Sequence, residues 1–341
     1  MRIVVDVTPL SHPRTGIGNY MLGMLRGLAE AGGDRVELVH FAPTGPRNVR
    51  RVREAVRPIP GERPLVVIPP PSNVWRKLWS RSQWLAVERF VGPFDVFHFS
   101  DWMYPPQRGG LRTTTIHDLI PLHHPEWVDP RTQALHLPKY RNAAETCDVI
   151  FTNSRYTADD VTTTLGVPRE RIFVASPGID PRFTPAGPAA EGEYVLAVGT
   201  VDPRKNLERA EAAARLTGVE LRVVGPDGSA GFVGDERLAE LYRGARALVF
   251  PSLLEGFGMP VVEAMASGTP AVVSSHPSLD EASGDAAVRV DPESPEAIAA
   301  GIQRALDERK TLVERGLRHA ARFTWRACGE AMLRGYEAGR A

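Results

Sequence analysis

Residues 250–270 read FPSLLEGFGMPVVEAMASGTP, and this stretch decides the fold class. An apolar, strand-like segment leads into a loop with two glycines, a helical segment follows, and Gly268 marks its end. Pro260 suits the first turn of a helix, because the N–H that proline lacks has no partner there. Such a succession of strand, glycine loop and helix is typical of an α/β protein, in which ligands bind at the carboxyl ends of parallel strands.

The loop in this stretch combines features of an anion site with two carboxylates. Gly256 and Gly258 leave the backbone bare before the helix, where free N–H groups and the helix dipole attract an anion such as diphosphate. Glu255 and Glu263 are eight positions apart, and a carboxylate so placed suits vicinal hydroxyls of a ribose or hexose better than phosphate. The alternative stays open that Glu263 only stabilises the helix dipole and Glu255 is a solvated loop residue.

Strands and helices alternate on both sides of this stretch. Residues 17–31 have a helical period, and the strand-like segments are 2–7, 36–41, 96–99, 113–116, 149–152, 194–199, 221–225, 247–252 and 271–275. Residues 176–193 carry four prolines and three glycines, so we interpret them as an interdomain linker. We therefore predict an α/β protein with two doubly wound, Rossmann-like domains that face a central cleft.

The composition is that of an ordinary folded protein and excludes several function classes. Of 341 residues, 43% are apolar and 24% are charged, and 41 Lys or Arg balance 41 Asp or Glu. This balance argues against binding of nucleic acid by bulk charge. Cys147 and Cys328 form no CxxC pair, so neither a disulfide framework nor a thiolate zinc site is supported. No apolar run is long enough for a signal peptide or a membrane span, and we expect a cytoplasmic protein.

Two adjacent cations follow the strand-like segment 194–199. Residues 198–207 read VGTVDPRKNL, and Arg204 and Lys205 precede a helical segment. The fork of arginine and the point charge of lysine together suit the neutralisation of a leaving diphosphate. The alternative is a solvated pair of cations in a turn, but their position at a strand end favours a functional role.

In the first half, a glycine loop opens the first helix. Residues 14–19 read RTGIGN, and Gly16 and Gly18 would let a phosphate approach the backbone. The GxGxxG pattern of a dinucleotide site is absent, and so is an acidic residue at the end of the next strand. A phosphate contact is therefore predicted here without a dinucleotide cofactor.

His117 ends the strand-like segment 113–116, at the mouth of the first sheet. A structural, hydrogen-bonded histidine is the alternative to a functional one. The spacing of His98, His123 and His124 matches no metal-ligand pattern, and the chain has no Asp-x-Asp motif. We therefore predict no metal site.

Four of these segments together resemble a known family. EGFGMPVVEAMASGTPAV, GTVDPRKN, TGIGNY and IHDLIPL are similar to segments of the retaining glycosyltransferases of family 4, which have the GT-B fold. The strongest element is the Glu-x7-Glu motif, and the resemblance spans most of the chain. It implies an acceptor domain over residues 1–183, a nucleotide-sugar donor domain over 184–324 and a last helix, within 325–341, that crosses back to the first domain.

The resemblance also implies a role for each matching residue. Glu263 would hold the ribose hydroxyls, and Glu255 with the amides of Gly256, Phe257 and Gly258 would hold the transferred sugar. Arg204 and Lys205 would neutralise the diphosphate, helped by the backbone of the loop that contains Gly16 and Gly18. His117 would contact the sugar near the reacting carbon, and Val233 and Asp235 would lie beside the base. Many members carry Arg directly after the strand glycine, where this chain has Thr200, so we assign that charge to Arg204.

A metal-independent transfer of a hexose, with retention at the anomeric carbon, is the activity that the resemblance implies. GTVDPRKN and IHDLIPL most resemble the mannosyl-transferring branch, so we predict GDP-mannose as the donor and no cofactor besides it. The predicted acceptor is a hydroxyl of a glycan or of a lipid-linked sugar. The alternatives are a UDP- or ADP-sugar donor, a nucleotide-sugar epimerase of the same fold, and a non-catalytic nucleotide-sugar sensor.

Positive charge is concentrated in the first half. Residues 1–183 hold 23 Lys or Arg against 18 Asp or Glu, and residues 47–89 hold ten against three. That segment contains Trp75, Trp79 and Trp84 together with the cations Arg50, Arg51, Arg76 and Lys77. An apolar stripe beside cations suits an anionic membrane or a lipid-linked diphosphate, and would place the protein at the inner face of the membrane. Core tryptophans with solvated arginines are the open alternative.

Overall fold

The computed structural model describes residues 1–13, 16–61, 63–79, 85–100, 105–200, 202–226, 228–231 and 233–340. Arg14 and Thr15 of the first glycine loop and Trp84 of the basic segment lie outside these residues. The strands are β1 (Arg2–Asp6), β2 (Glu37–Pro43), β3 (Leu65–Ile68), β4 (Val96–Phe99), β5 (Leu111–Ile116), β6 (Val149–Thr152), β7 (Ile172–Val174), β8 (Tyr194–Val198), β9 (Glu220–Val224), β10 (Ala247–Phe250), β11 (Ala271–Ser274) and β12 (Val288–Val290). The α-helices are α1 (Gly16–Gly32), α2 (Pro46–Val56), α3 (Ser72–Trp79), α4 (Glu88–Val91), α5 (Ile120–His123), α6 (Pro130–Thr146), α7 (Arg155–Leu165), α8 (Leu207–Thr217), α9 (Asp235–Gly244), α10 (Met259–Ala266), α11 (Asp280–Ser283), α12 (Pro295–Asp307), α13 (Arg309–Ala320) and α14 (Trp325–Arg340).

The chain divides into two compact units. Unit 1 comprises Met1–Gly178 and Trp325–Ala341, and unit 2 comprises Ile179–Thr324. The last helix, α14, therefore belongs to the same unit as the amino-terminal half of the chain.

Unit 1 is built on a parallel sheet with the strand order β3-β2-β1-β4-β5-β6-β7. Its central strands β1 and β4 are buried along almost their whole length, as is typical of parallel strands covered on both faces. The strand order changes direction between β1 and β4, which is the switch point where such sheets bind ligands. Asp6 at the end of β1 accepts hydrogen bonds from the backbone and side chain of Ser100, which follows β4, and so ties the two strand ends together.

Unit 2 has a parallel sheet with the order β12-β11-β10-β8-β9. Its switch point lies between β8 and β10, whose register pairs Val195 with Ala247. The loops that follow these two strands carry Arg204, Lys205 and Glu255, so the topology brings the three residues to one edge of the sheet. The predicted α/β class with two doubly wound sheets is confirmed.

Most of the segment interpreted as a linker is packed onto unit 2. The Phe183 side chain is buried in the apolar core of that unit and meets the Tyr242 ring edge-on at 5.7 Å. Further along, Ala190 N donates to Glu240 O at 2.9 Å. The sequence places the domain boundary after residue 183, whereas the contacts place it after Gly178, because this segment satisfies its apolar and polar groups through unit 2 without regular secondary structure.

Helix α14 packs closely against α1 within unit 1. A Cβ atom on Gly23 would collide with the Trp325 indole, and one on Gly27 would collide with the Trp325 carbonyl. In the opposite direction, a Cβ on Gly329 would collide with the backbone at Gly27. Only glycine allows the two helix backbones to approach this closely.

Candidate functional site

Two loops of unit 2, residues 199–206 and 251–258, are joined at the ends of β8 and β10. Leu253 N donates to Arg204 O at 2.8 Å, and the Asn206 side-chain amide donates to Pro251 O at 3.1 Å. Asn206 has φ of 57°, in the left-handed region that asparagine tolerates better than most residues, and ends the short 3-10 turn that carries the two cations. The turn begins at Asp202, whose carboxylate accepts from Arg204 N at 3.0 Å. The positions of Arg204 and Lys205 are thus held by backbone contacts on both sides.

Arg204, Lys205 and Glu255 form one buried ion cluster. Lys205 Nζ is 2.6 Å from Glu255 Oε1, and Arg204 Nη1 is 2.9 Å from Glu255 Oε2. Arg204 also contacts Asp202 at 3.1 Å, and Lys205 Nζ lies 4.7 Å from the centre of the Phe250 ring. The two cations and two carboxylates balance one another in this arrangement.

Glu255 is ionised in spite of its burial. Burial by itself would raise the pKa of this carboxyl, but Lys205 and Arg204 outweigh it and lower the pKa below the ordinary value. The Glu255 backbone N–H donates to Ser278 Oγ at 3.1 Å, which fixes the loop from the other side. The structure therefore brings these three residues together in unit 2, with Glu255 as the common partner of both cations, and their predicted contacts with the donor stay predictions.

The glycine loop turns into α10 as the sequence indicates. Gly258 precedes the helix with φ of 99°, and a Cβ there would lie 2.6 Å from the Leu279 side chain. Both conditions require glycine. The neighbouring Phe257 side chain is buried against Phe323, with ring centres 5.3 Å apart, so its predicted contact with a ligand is limited to its backbone.

Glu263 lies in α10 in a different environment from Glu255. Its Oε2 accepts a hydrogen bond from the Tyr242 hydroxyl at 3.1 Å. Burial raises the pKa of Glu263 to about 7, Tyr242 opposes the rise, and the carboxylates of Asp235 and Asp180 add to it. A carboxyl group in this state gains a full charge readily when hydroxyl donors reach it.

Asp235 and Val233 lie at the start of α9. The Asp235 carboxylate is 3.3 Å from Arg182, which also contacts Asp180 at 2.7 Å. Val233 packs at the edge of the apolar core of unit 2. These two predicted base-contacting residues thus lie in the same unit as Glu263, and Arg182 is an additional charged neighbour.

In unit 1, His117 directly follows β5 and is held from two sides. The Asn153 side-chain amide lies against His117 Nδ1, with its Nδ2 at 3.0 Å and its Oδ1 at 3.3 Å, and the Tyr20 ring meets the imidazole edge-on with ring centres 4.9 Å apart. Burial lowers the pKa of His117, while Asp118 and Asn153 raise it by less. The ring is therefore neutral at pH 7.

Gly16 and Gly18 lie in the first turn of α1. Gly16 is exposed, and among the described residues nothing lies within 4 Å of a Cβ placed there, so these residues impose no steric demand for glycine. Gly18 is buried on the inner face of the same turn. Their predicted phosphate contact stays a prediction.

The interpretation of Trp75 and Trp79 as a membrane-facing stripe is wrong. Their side chains are 7% and 3% exposed and stack at 4.9 Å in an aromatic cluster of unit 1, because α3 is short and packs its indole face inward. The apolar side chains that α3 exposes are Val74 and Leu78, at 44% and 37%.

The cations of the patch lie at or near the surface. Arg50 is ion-paired with Glu54, Arg51 reaches Ser11 O at 3.4 Å, Lys77 is exposed and Arg76 is half-buried.

Three residues of these sites were not identified from the sequence. Tyr242 contacts Glu263, Asn153 contacts His117, and Asn206 locks the cation loop. Asn206 carried a signal, since an asparagine directly before a helix suits a left-handed position. Nothing in the sequence singled out Tyr242, and only the fold brings it to α10.

Comparisons with known proteins agree with this geometry. The family model of group 1 glycosyl transferases matches residues 182–321, and that of glycosyltransferase family 4 matches residues 14–183. O-antigen chain mannosyltransferase B of Escherichia coli is 28% identical, over 99% of this chain and 100% of its own length. MMP alpha-(1->4)-mannosyltransferase of Mycolicibacterium hassiacum is 31% identical, over 55% of this chain and 53% of its own length.

Solved structures extend the likeness over almost the whole chain. Anabaena HepE in complex with UDP-glucose has a TM-score of 0.68 at 13% identity, with 98% of each chain covered. A glycosyltransferase from Rickettsia africae has a TM-score of 0.68 at 12% identity, over 99% of this chain and 98% of its own. At these identities the likeness concerns the fold alone.

Proposed function

Since this chain belongs to family 4 of the GT-B glycosyltransferases and is therefore a glycosyltransferase, we propose that it transfers mannose from GDP-mannose to a hydroxyl group, with retention at the anomeric carbon. The observation that carries the proposal is the buried cluster of Arg204, Lys205 and Glu255 at the switch point of unit 2. The printed names of the two relatives above, both mannosyltransferases, support mannose as the sugar.

The donor would be held by groups of distinct chemistry in unit 2. Arg204 and Lys205 meet the diphosphate as a planar fork and a point charge, and the amides before α10 supply further donors. The two hydroxyls of the ribose donate to Glu263. Glu255, already between the cations, has oxygen lone pairs to accept from hydroxyls of the hexose.

The transfer then proceeds on one face of the sugar. The bond between the anomeric carbon and the phosphate oxygen breaks, a bond to the acceptor oxygen forms, and the leaving phosphate takes the acceptor proton. Arg204 and Lys205 stabilise the charge that develops on the diphosphate, so that side-chain cations rather than a metal ion supply this stabilisation. We assign His117, which is neutral at pH 7, to a contact with the sugar near the reacting carbon.

The first experiment is a donor panel of GDP-, UDP- and ADP-sugars, with and without chelator, in which released nucleoside diphosphate is measured. We expect chelator-resistant release from GDP-mannose and an α-linked product in the proton NMR spectrum when a glycan acceptor is present. Release from a UDP- or ADP-sugar would identify that nucleotide sugar as the donor in place of GDP-mannose. Formation of a 2-epimer of the donor would indicate an epimerase. Binding without turnover under all conditions would indicate a sensor.

A lysine substitution tests the role of the cluster. Lys205→Met should lower kcat/KM by about 100-fold or more, the usual loss when one group that stabilises transition-state charge is removed. Lys310→Met removes an exposed lysine of the same unit and should leave the rate unchanged. Equal rates for the two variants would contradict the assignment of the diphosphate site.

We also propose that the surface of α2 and α3 contacts a membrane or a lipid-linked acceptor. Val74 and Leu78 are exposed one turn apart, and Lys77 is exposed beside them. In the part of the chain that the structure describes, no helix is both long and apolar enough to cross a bilayer, so the contact would be peripheral.

Vesicle flotation tests this contact. Leu78→Asp should weaken binding to anionic vesicles, whereas Leu216→Asp, at an exposed leucine of unit 2, should not. Equal recovery of the wild type on neutral and anionic vesicles, or on neither, would contradict the proposal.

A further inference from the structure

Three aromatic rings from distant parts of the sequence lie side by side in unit 1. The Trp325 ring, at the start of α14, meets the Tyr20 ring of α1 edge-on with centres 5.9 Å apart. Tyr20 in turn meets the His117 imidazole edge-on at 4.9 Å. Tyr20 is therefore the contact through which the last helix of the chain reaches the residue after β5.

The glycines of α1 make this row of rings sterically feasible. Gly23 is one helical turn after Tyr20, on the same face, and its bare backbone receives the Trp325 indole. Gly27, a further turn along, receives the Trp325 carbonyl and the backbone at Gly329. With a side chain at Gly23, the indole could not occupy its place beside Tyr20.

Tyr20 is itself fixed by the elements around it. Its hydroxyl donates to Ala175 O at 3.2 Å, and Cys328 Sγ of α14 is 3.9 Å from that hydroxyl. The ring is 3% exposed. The other side of His117 is held by the Asn153 amide, so the orientation of the imidazole depends on a hydrogen bond on one side and on the Tyr20 ring on the other.

We propose that Tyr20 and Trp325 are positioning residues for His117, so that the docking of α14 sets the orientation of the imidazole toward the sugar. This role rests on the proposed function of His117 in the transfer. Trp325 acts through Tyr20, and the contribution of the last helix to the reaction is geometric: it excludes other orientations of one ring.

The decisive variants keep or remove an aromatic ring. Trp325→Phe retains a ring against Tyr20, whereas Trp325→Leu removes it. In protein with labelled histidine, the imidazole signal of His117, identified by its loss in His117→Gln, should keep its wild-type position in Trp325→Phe and move in Trp325→Leu. Tyr20→Leu should lower kcat about tenfold with less than a twofold change in the donor KM, and Tyr20→Phe should restore kcat.

Gly339→Ala is the matched control on the same helix. A Cβ there would lie 2.7 Å from the Val149 side chain, at the start of β6 and therefore at the opposite edge of the sheet from His117. It disturbs the docking of α14 without touching the aromatic row. The proposal is overturned if the His117 signal stays in place in Trp325→Leu, or if Gly339→Ala moves it equally.

The two proposals can fail separately. If the wild type turns over no nucleotide sugar, the proposed function fails, but the NMR signal still reports whether Trp325 orients His117. If transfer occurs and Tyr20→Leu retains wild-type kcat, the positioning role fails while the activity stands. Should Trp325→Leu not fold, as judged by circular dichroism, the Tyr20→Leu and Tyr20→Phe pair decides by whether the ring restores kcat.

Discussion

Glu255 and Glu263 lie eight positions apart in unit 2, and yet their surroundings shift their pKa values in opposite directions. Burial favours the neutral form of each. Around Glu255, Lys205 and Arg204 outweigh burial and lower the pKa. Around Glu263 only the Tyr242 hydroxyl opposes burial, and the pKa rises to about 7.

The difference shows that cations within reach, rather than depth of burial, decide whether a buried carboxyl is ionised. The difference in pKa also indicates that the two glutamates have different roles. Glu255 carries a permanent charge and holds two cations in place. Glu263 is near the midpoint of its titration at neutral pH, so a bound hydroxyl donor can decide its state. The same substitution at the two positions should therefore have opposite consequences.

The largest effect is expected for Glu255→Gln. It leaves two buried cations short of a carboxylate and should lower the free energy of unfolding by about 3–5 kcal/mol, as for other broken buried ion pairs. Urea denaturation at pH 7.5 measures the loss. Glu308→Gln, at a solvent-exposed pair with Arg304, serves as the control and should leave the free energy of unfolding almost unchanged. A loss at Glu255 as small as at Glu308 would mean that the cluster is solvated.

Glu263→Gln should stabilise the protein at alkaline pH. Folding raises the pKa of Glu263 from 4.5 to about 7, so the ionised group costs stability that grows between these pH values and is constant above them. Removing the charge should raise the free energy of unfolding by about 3 kcal/mol at pH 8 and by almost nothing at pH 4.5. Urea midpoints at the two pH values test this, and a pH-independent difference would refute the raised pKa.

The donor should bind more tightly as the pH rises through 7. If the ribose hydroxyls donate to ionised Glu263, the dissociation constant of the nucleotide sugar should fall about tenfold between pH 6 and pH 8. Isothermal titration calorimetry with the intact nucleotide sugar avoids the terminal phosphate of the free nucleotide, which titrates in the same range. In Glu263→Gln the dependence should disappear. A flat profile in the wild type would place the ribose elsewhere.

The smallest effect is expected for Tyr242→Phe. Without the hydroxyl donor, the pKa of Glu263 should rise further, and the pH dependence of donor binding should move to higher pH by less than one unit. The cost to folding should be about 1 kcal/mol, the usual value for one hydrogen bond. Movement of the profile to lower pH would show that Tyr242 is not the donor to Glu263.

Much of the fold and part of the site could be predicted from the sequence. The comparisons confirm the family, the GT-B fold and the enzyme class. These could be predicted because each strand is followed by a loop with its own pattern of glycines and charges. The sequence also placed Arg204, Lys205 and Glu255 in loops that follow strands, and β8 and β10, which those loops follow, are neighbours in the sheet; the ion pairs among the three residues were not predicted.

The rest depended on contacts between distant parts of the chain. A helical period shows that Trp75 and Trp79 share one face of a helix, but it does not show whether that face points to the core. The spacing of Glu255 and Glu263 in the sequence does not indicate their neighbours in the fold. It could not show that Glu255 contacts two cations or that Glu263 contacts a tyrosine. The pKa values of the two glutamates are set by neighbours about 20 to 60 positions away along the chain.

The membership of α14 in unit 1 has a consequence for biosynthesis. The ribosome makes the first 178 residues, then all of unit 2, and only afterwards the helix that fills the groove of Gly23 and Gly27. At about 5–20 residues per second, the nascent amino-terminal unit waits on the order of ten seconds with that groove open. During this interval the apolar face of α1 is a surface for chaperones or for misassembly, and unit 1 reaches its final form only after unit 2 has been made.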